Sequence, residues 1–233
     1  MKVTSLADMP RTGPDDARRR IAIGTFDGVH VGHREVIRGN DTVLTFDPHP
    51  VSVIHPEAAP KLLAPFSIKR DLIGGLGVEE LVVNPFDRDF ASQTAEEFVD
   101  EVLVGQLSAE SVSVGENFRF GRGAKGTPEF LAADDRFETR VVPLVEAAGE
   151  TASSSHIRGL VAAGDVRTAS EFLGGPFLVE GEVVSGDLYG QTLRIAFIDR
   201  MRGEKRFDSV DALVEQMQAD VREAERICAA TSY

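Results

Sequence analysis

The sequence predicts an α/β fold, a parallel sheet with helices on both faces. Apolar β-branched runs alternate with segments of helical periodicity along most of the chain, which is typical of parallel strands joined by helical crossovers. Polar or glycine-containing turns follow the predicted strands, where parallel sheets bind ligands. With 233 residues, 42% of them hydrophobic, the chain is long enough to bury a core in one or two domains.

The first predicted strand, residues 20–24, leads into a loop with glycines at 24, 28 and 32 and then a helix starting near His33. Free amides at a helix start bind anions, and the imidazoles of His30 and His33 are hydrogen-bond donors to phosphate oxygens. The pattern matches neither the dinucleotide fingerprint nor the P-loop. Turn glycines, a metal-binding pair and helix-capping histidines therefore stay open as alternatives.

The remaining elements follow in order. We predict strands at 41–46, 80–83, 111–115 and 139–144, helices at 67–76 and around Leu131, and a helix that begins with a capping box formed by Thr94 and Glu97.

Two further stretches carry chemistry. Residues 115–126 combine glycines with basic residues and with Phe118 and Phe120, which we expect to flank a planar ring; the alternative is an ordinary glycine hairpin. Residues 153–158, S-S-S-H-I-R, place hydroxyl groups before a predicted helix. They are good N-caps, and together with Arg158 they are also suited to binding phosphate.

Composition narrows the class of protein. The net charge of −13 argues against a nucleic-acid-coating surface, and the single cysteine, Cys228, excludes an intrachain disulfide. No apolar run is long enough to cross a bilayer, and residues 1–20 lack the apolar core of a signal peptide. We therefore expect a cytoplasmic protein that binds neither membrane nor nucleic acid, and we assign no oligomeric state.

Taken together, residues 20–174 resemble the adenylyltransferase half of the prokaryotic bifunctional riboflavin kinase/FMN adenylyltransferases, or FAD synthetases. The motifs are G-T-F-D-G-V-H-V-G-H, T-F-D-P-H-P, N-P-F-D-R-D-F-A, G-E-N-F-R-F-G and S-S-S-H-I-R-G-L. His156 stands where the family often has a basic residue, and Ala152 where a larger aliphatic residue is usual.

This resemblance implies a Rossmann-like nucleotidylyltransferase fold and transfer of AMP from ATP to FMN, with Mg²⁺ on the phosphates, to give FAD and pyrophosphate. It implies catalytic roles for His30, His33 and Arg158. The implied ATP-binding residues are Gly24, Phe26, Gly32, Ser154 and Ser155, and the implied flavin-binding residues are Asp47, Pro48, His49, Asn117 and Phe118. No protein ligand is assigned to a metal.

The resemblance divides the chain into an adenylyltransferase domain, residues 1–174, and a shortened riboflavin kinase-like segment, residues 178–233. That segment has no counterpart of the family's P-T-A-N loop or of the part bearing its catalytic glutamate. We therefore predict that riboflavin kinase activity is absent, unless a segment is merely omitted from the sequence. In the final helix, 208–227, we expect Val210, Leu213, Val214 and Met217 to point inward.

FAD synthesis is thus the leading hypothesis. The alternatives are a catalytically silent flavin- or nucleotide-binding module and a nucleotidylyltransferase with another phosphorylated acceptor. A metal site formed by His30, His33 and His49 is disfavoured, because convincing third and fourth ligands are missing.

Overall fold

The computed structural model describes residues 1–11 and 18–230. The chain divides into two compact units, Met1–Ser154 and Ser155–Tyr233. The predicted domain boundary near residue 174 stays a prediction. Within the described ranges, none of the helices combines the length and the apolar character that crossing a membrane requires.

The first unit is built on a parallel sheet, which confirms the predicted fold class. In the described part of the chain, the sheet has six strands in the order β1-β4-β3-β2-β5-β6. The strands are β1 Lys2–Ser5, β2 Arg19–Ile23, β3 Thr42–Asp47, β4 Glu80–Pro85, β5 Ala109–Gly115 and β6 Glu138–Val142. Strand β2 pairs with β3 on one side and with β5 on the other, so the strand order reverses between β2 and β5.

Short helices connect these strands. They are α1 Val31–Ile37, α2 Pro50–Ile54, α3 Phe66–Gly74, α4 Arg88–Ala91, α5 Ala95–Glu97 and α6 Pro128–Ala132, with 3₁₀ turns at Leu6–Asp8, Pro56–Ala58 and Arg122–Ala124. Helix α5 begins with the predicted capping box between Thr94 and Glu97 and continues as a π-helix, Phe98–Gln106. Helix α1 begins two residues earlier than predicted, because His30 is its N-cap.

Two apolar clusters show that helices cover both faces of the sheet. Ile21 and Ile23 of β2 lie in the cluster that contains the π-helix, whereas Ala22 between them lies in the cluster that contains α1. Successive side chains of a strand point to opposite faces. The two clusters are therefore the two layers between sheet and helices, as the alternating sequence predicted.

Several elements of this unit were not predicted, among them helices α2 and α4. Strand β1 pairs in parallel with β4, with Lys2 opposite Glu80, and so forms an edge of the sheet. A small hairpin, β7 Glu146–Ala147 and β8 Glu150–Thr151, follows β6.

The second unit contains α7 Ser154–Ala163, which begins at the last residue of the first unit, α8 Val166–Leu173, the antiparallel pair β9 Phe177–Glu182 and β10 Thr192–Phe197, and α9 Val210–Ala230. The prediction that Val210, Leu213, Val214 and Met217 point inward is wrong, since all four are 40% to 75% exposed. The helical period of the apolar residues is present, but it does not determine whether another part of the chain covers them. Ile227 is the buried residue of α9.

Candidate active site

A cleft of about 850 Å³ lies at the carboxyl ends of the strands in the first unit. Its walls come from the segments that follow β2, β3, β4, β5 and β6. The cleft therefore spans the point between β2 and β5 where the strand order reverses, the place where parallel α/β sheets bind ligands. Its position agrees with the one predicted from the turns after the strands.

Two stacked imidazoles form part of the cleft wall. His30 is the N-cap of α1, and its Nδ1 accepts a hydrogen bond from the backbone N of His33 at 3.4 Å. The two rings stack at 3.6 Å between centroids with 20° between their planes. Because His30 Nδ1 is an acceptor, the neutral ring carries its proton on Nε2, which leaves Nε2–H as the donor for a ligand.

Burial keeps both imidazoles neutral at pH 7. Desolvation lowers the pKa of His30 to about 4, against a smaller opposing effect of the Asp27 carboxylate. Desolvation also holds the pKa of His33 well below its ordinary value, and the charges of His30 and Lys69 act in the same direction. Within the described residues, His33 Nδ1 is buried without a hydrogen-bond partner, and such an atom is a candidate contact for a ligand.

The segment between β2 and α1, residues 24–30, is called the histidine loop below. Phe26 and Val29 both have positive φ angles, 49° and 44°, which cost energy for residues other than glycine. Phe26 is 1% exposed, and its ring packs edge-on against His33 at 5.3 Å. A Cβ at Gly24 would come within 2.9 Å of that ring, so the glycine makes room for the phenyl group.

Asp27 fixes the histidine loop to its neighbours. Its Oδ1 accepts hydrogen bonds from the backbone N of Leu63 at 2.9 Å and of Ala64 at 3.4 Å. Its carbonyl oxygen accepts a hydrogen bond from Ser154 Oγ at 3.0 Å. This contact brings the first residue of α7 to the same cleft wall as the imidazoles, as the pairing of the two motifs predicted for Ser154.

Lys69 on α3 was not singled out from the sequence. It is 9% exposed, and its Nζ donates to the carbonyl oxygen of Thr25 at 3.3 Å and to Thr45 Oγ1 at 3.4 Å. Burial lowers the pKa of Lys69, and the carboxylates of Asp47 and Asp27 oppose that change. A lysine in a helical segment is ordinarily solvent-exposed, so only the packing of α3 shows this one to be buried.

Another part of the cleft lining is aromatic. Phe46, Phe86 and Phe90 line it and meet in edge or tilted contacts, with 5.8 Å between the Phe46 and Phe86 rings. Phe118 and Phe120 stack on each other with 5.6 Å between their ring centroids, which is closer than the roughly 7 Å that a third ring between them would need. That they can flank a planar ring stays a prediction.

The glycine-rich loop that carries these two residues closes on itself. The backbones of Phe120 and Gly126 form a bridge, with one hydrogen bond of 3.2 Å and one of 2.8 Å. The hairpin alternative therefore describes this loop correctly, although the loop also lines the cleft.

The structure brings most of the predicted site residues together. The cleft is lined by Gly24, Phe26, His30, Gly32, His33, His49, Asn117, Phe118 and Ser154. Asp47 lines a small cavity that also includes His49 and Lys69, and Pro48 follows it through a cis peptide bond. Ser155 and Arg158 belong to the second unit, and their part in the site stays a prediction. The described residues contain no cluster of three or more His, Cys, Asp or Glu side chains suited to a metal.

Two family models match the chain. The FAD synthetase model matches residues 13–156 and the riboflavin kinase model matches residues 149–228. The second match confirms the predicted riboflavin kinase-like character of the C-terminal segment.

Curated relatives carry the same two names. Bifunctional riboflavin kinase/FMN adenylyltransferases from Listeria monocytogenes and Bacillus subtilis are 36% and 34% identical over 76% and 77% of this chain. The chain spans 60% of the length of each. A relative from Pseudomonas fluorescens is 26% identical in an alignment of 291 residues that covers 91% of this chain and 93% of the relative. Because this alignment is longer than the chain, the relative contains residues without a counterpart here.

A solved structure described as a macrolide-efflux protein from Streptococcus pneumoniae has a TM-score of 0.83 and covers 100% of both chains. At 24% identity, this likeness shows the fold alone.

Proposed function

Because this chain belongs to the FAD synthetase family, we propose that it transfers AMP from ATP to FMN. In this reaction an FMN phosphate oxygen attacks the α-phosphorus of ATP, the bond from that phosphorus to the bridging oxygen breaks, and pyrophosphate leaves. The observation that carries the proposal is the buried, neutral imidazole pair in the cleft wall, with His33 Nδ1 unpartnered among the described residues.

The protein contributes position and hydrogen bonding. His30, through Nε2–H, and His33 are proposed to donate to ATP phosphate oxygens, which become more negative as pyrophosphate separates. Gly32 supports this arrangement, because a Cβ there would lie 3.2 Å from His30 Cε1. Gly24 and Phe26 are proposed to shape the ATP side of the cleft.

The remaining roles are assigned by matching motifs. Ser154, Ser155 and Arg158 are proposed to bind the β- and γ-phosphates, with the Ser154 contact to the histidine loop as support. Asn117, Phe118 and His49 are proposed to contact FMN, with Asp47 and Pro48 shaping the turn beside them. Mg²⁺ is included as part of the Mg–ATP substrate, where it neutralises phosphate charge, and no protein ligand is assigned to it.

Incubation with Mg–ATP and FMN, followed by chromatography, tests the proposal directly. We expect the wild-type protein to form FAD. His30→Ala and Arg158→Ala are each expected to lower turnover about a hundredfold with an unchanged circular dichroism spectrum. Arg226→Ala is the matched control, because Arg226 lies on α9 in an ion pair with Glu223 and has no assigned role.

The outcomes separate the alternatives. Absence of FAD together with tight flavin binding would support the silent binding module. FAD formation by a His30→Ala protein at the wild-type rate would refute the role of that residue and leave the activity standing.

Because the riboflavin kinase model also matches the chain, riboflavin kinase activity should be tested in the same way. Our prediction that kinase activity is absent stays a prediction. To test it, the protein is incubated with Mg–ATP and riboflavin instead of FMN. Formation of FMN would overturn the prediction that kinase activity is absent.

A further inference from the structure

We infer that Lys69 is a positioning residue of the proposed AMP-transfer site. Its buried ammonium group fixes the start of the histidine loop and places a positive charge beside the imidazole pair. The inference rests on the proposed function, because it concerns how the site holds a polyphosphate.

The fold by itself does not account for a lysine at this position. Burying an ammonium group is costly, and an apolar side chain of similar volume is often equally or more favourable in such a place. The neighbouring core residue on α3, Ile68, is 1% exposed, so this part of the helix is already suited to apolar packing. The two hydrogen bonds of Lys69 both leave its own helix, one to Thr25 and one to Thr45, whereas its contact within α3 is with the Phe66 ring, whose centroid lies 5.8 Å from Nζ.

These bonds converge on one carbonyl group. The Thr25 oxygen accepts from Lys69 Nζ at 3.3 Å and from Thr45 Oγ1 at 3.2 Å. The next residue is Phe26, the first of the two with positive φ. A strained backbone persists only where its surroundings hold it, and the double contact at Thr25 holds the first end of the strained segment, as Asp27 holds its middle.

The charge of Lys69 also acts on the site. The ionisable groups near it on other elements include the carboxylates of Asp27 and Asp47 and the imidazole of His33, and His49 lines the same small cavity. Burial is the main cause of the lowered pKa of His33, and the charges of His30 and of the Lys69 ammonium group act in the same direction. The positive charge of Lys69 attracts the phosphates of ATP.

Equilibrium binding separates this role from a purely structural one. The dissociation constants of Mg–ATP alone and of FMN alone are measured by calorimetry for wild type, Lys69→Met and Lys69→Arg, together with FAD formation. We expect Lys69→Met to weaken Mg–ATP binding and to lower turnover, each by about tenfold to a hundredfold, and to weaken FMN binding less, although Lys69 lines a small cavity with Asp47 and His49. Lys69→Arg, which keeps the charge, is expected to recover part of the loss.

Lys2→Met is the matched control, because Lys2 is 71% exposed in a surface ion pair with Glu80. It is expected to behave as wild type in all assays. Wild-type ATP affinity and turnover in Lys69→Met would overturn the inference and leave the proposed function intact. An equal loss of ATP and FMN binding, accompanied by a lower melting temperature and no rescue by arginine, would also overturn it. If wild type itself forms no FAD, the proposed function fails and this inference with it.

Discussion

The buried, neutral imidazole of His30 should make the free energy of unfolding depend on pH, and this effect can be measured without any substrate. The pKa of His30 falls from 6.5 to about 4 on folding because the ring is buried. The unfolded chain therefore binds a proton that the folded protein rejects, so stability is fully present above pH 6.5 and is lost as the pH falls toward 4. The whole shift corresponds to about 3 kcal/mol.

Between pH 7 and pH 5, the His30 contribution alone should decrease the free energy of unfolding by about 2 kcal/mol. His30→Asn removes the titrating ring and keeps a side-chain acceptor for the start of α1. The variant should therefore lose about 2 kcal/mol less stability than wild type over this pH range. His55→Asn is the control, because the His55 side chain is 67% exposed; it should lose as much stability as wild type.

The assay must report on the first unit. Amide hydrogen exchange of peptides from β2 and β5, followed at both pH values after correction for intrinsic exchange rates, gives the opening free energy of that sheet. Equal pH dependence in wild type and His30→Asn would show that the buried ring does not control acid stability.

Three further changes test the contacts that support the cleft. Asp27→Ala leaves the buried backbone N–H of Leu63 without its acceptor and should cost about 1–3 kcal/mol in urea unfolding; Asp27→Asn, which keeps an oxygen, should cost less, and equal costs would contradict this account. Asn40→Ala removes donors to the last carbonyls of α1 and a bond to Ser113 Oγ, so the melting temperature should fall by about 2–8 °C; an unchanged value would contradict it. Gly121→Ala places a Cβ 2.7 Å from the backbone N of Ala95 at φ +69°. It should lower stability by about 1–3 kcal/mol, and wild-type urea unfolding would refute the clash.

The local pattern of apolar and polar residues was sufficient to predict most of the strands and the fold class. Strands β2, β3 and β4 contain the apolar runs I-A-I, V-L and L-V-V because both faces of the sheet are covered there, and this composition is visible in the sequence. Strand β1 could not be predicted in this way, because K-V-T-S is short, has one apolar residue among its four and pairs with residues nearly eighty positions away. Only the partner makes this segment a strand.

The sequence pointed to those candidate site residues whose side-chain type by itself suggests a function. The two histidines and the serines of S-S-S-H-I-R fall into this class, since imidazoles and hydroxyl groups beside a helix start suggest phosphate binding. Lys69 could not be predicted in this way. It differs from other lysines because it is buried, and its burial depends on how α3 packs. Helix α9 shows the same limit in the other direction, since its apolar period was correct and its burial was not.

The positive φ angles of Phe26 and Val29 set the cost of a strained backbone against the gain from burial. Glycine adopts this backbone region without the penalty of about 1 kcal/mol or more that side chains incur there. Phe26 and Val29 are 1% and 0% exposed, however, and truncating a buried phenylalanine costs about 3–5 kcal/mol. Glycine at either position would therefore lower stability and also release the segment that carries the imidazoles, so engineering of a more heat-resistant variant should start at other positions of the chain.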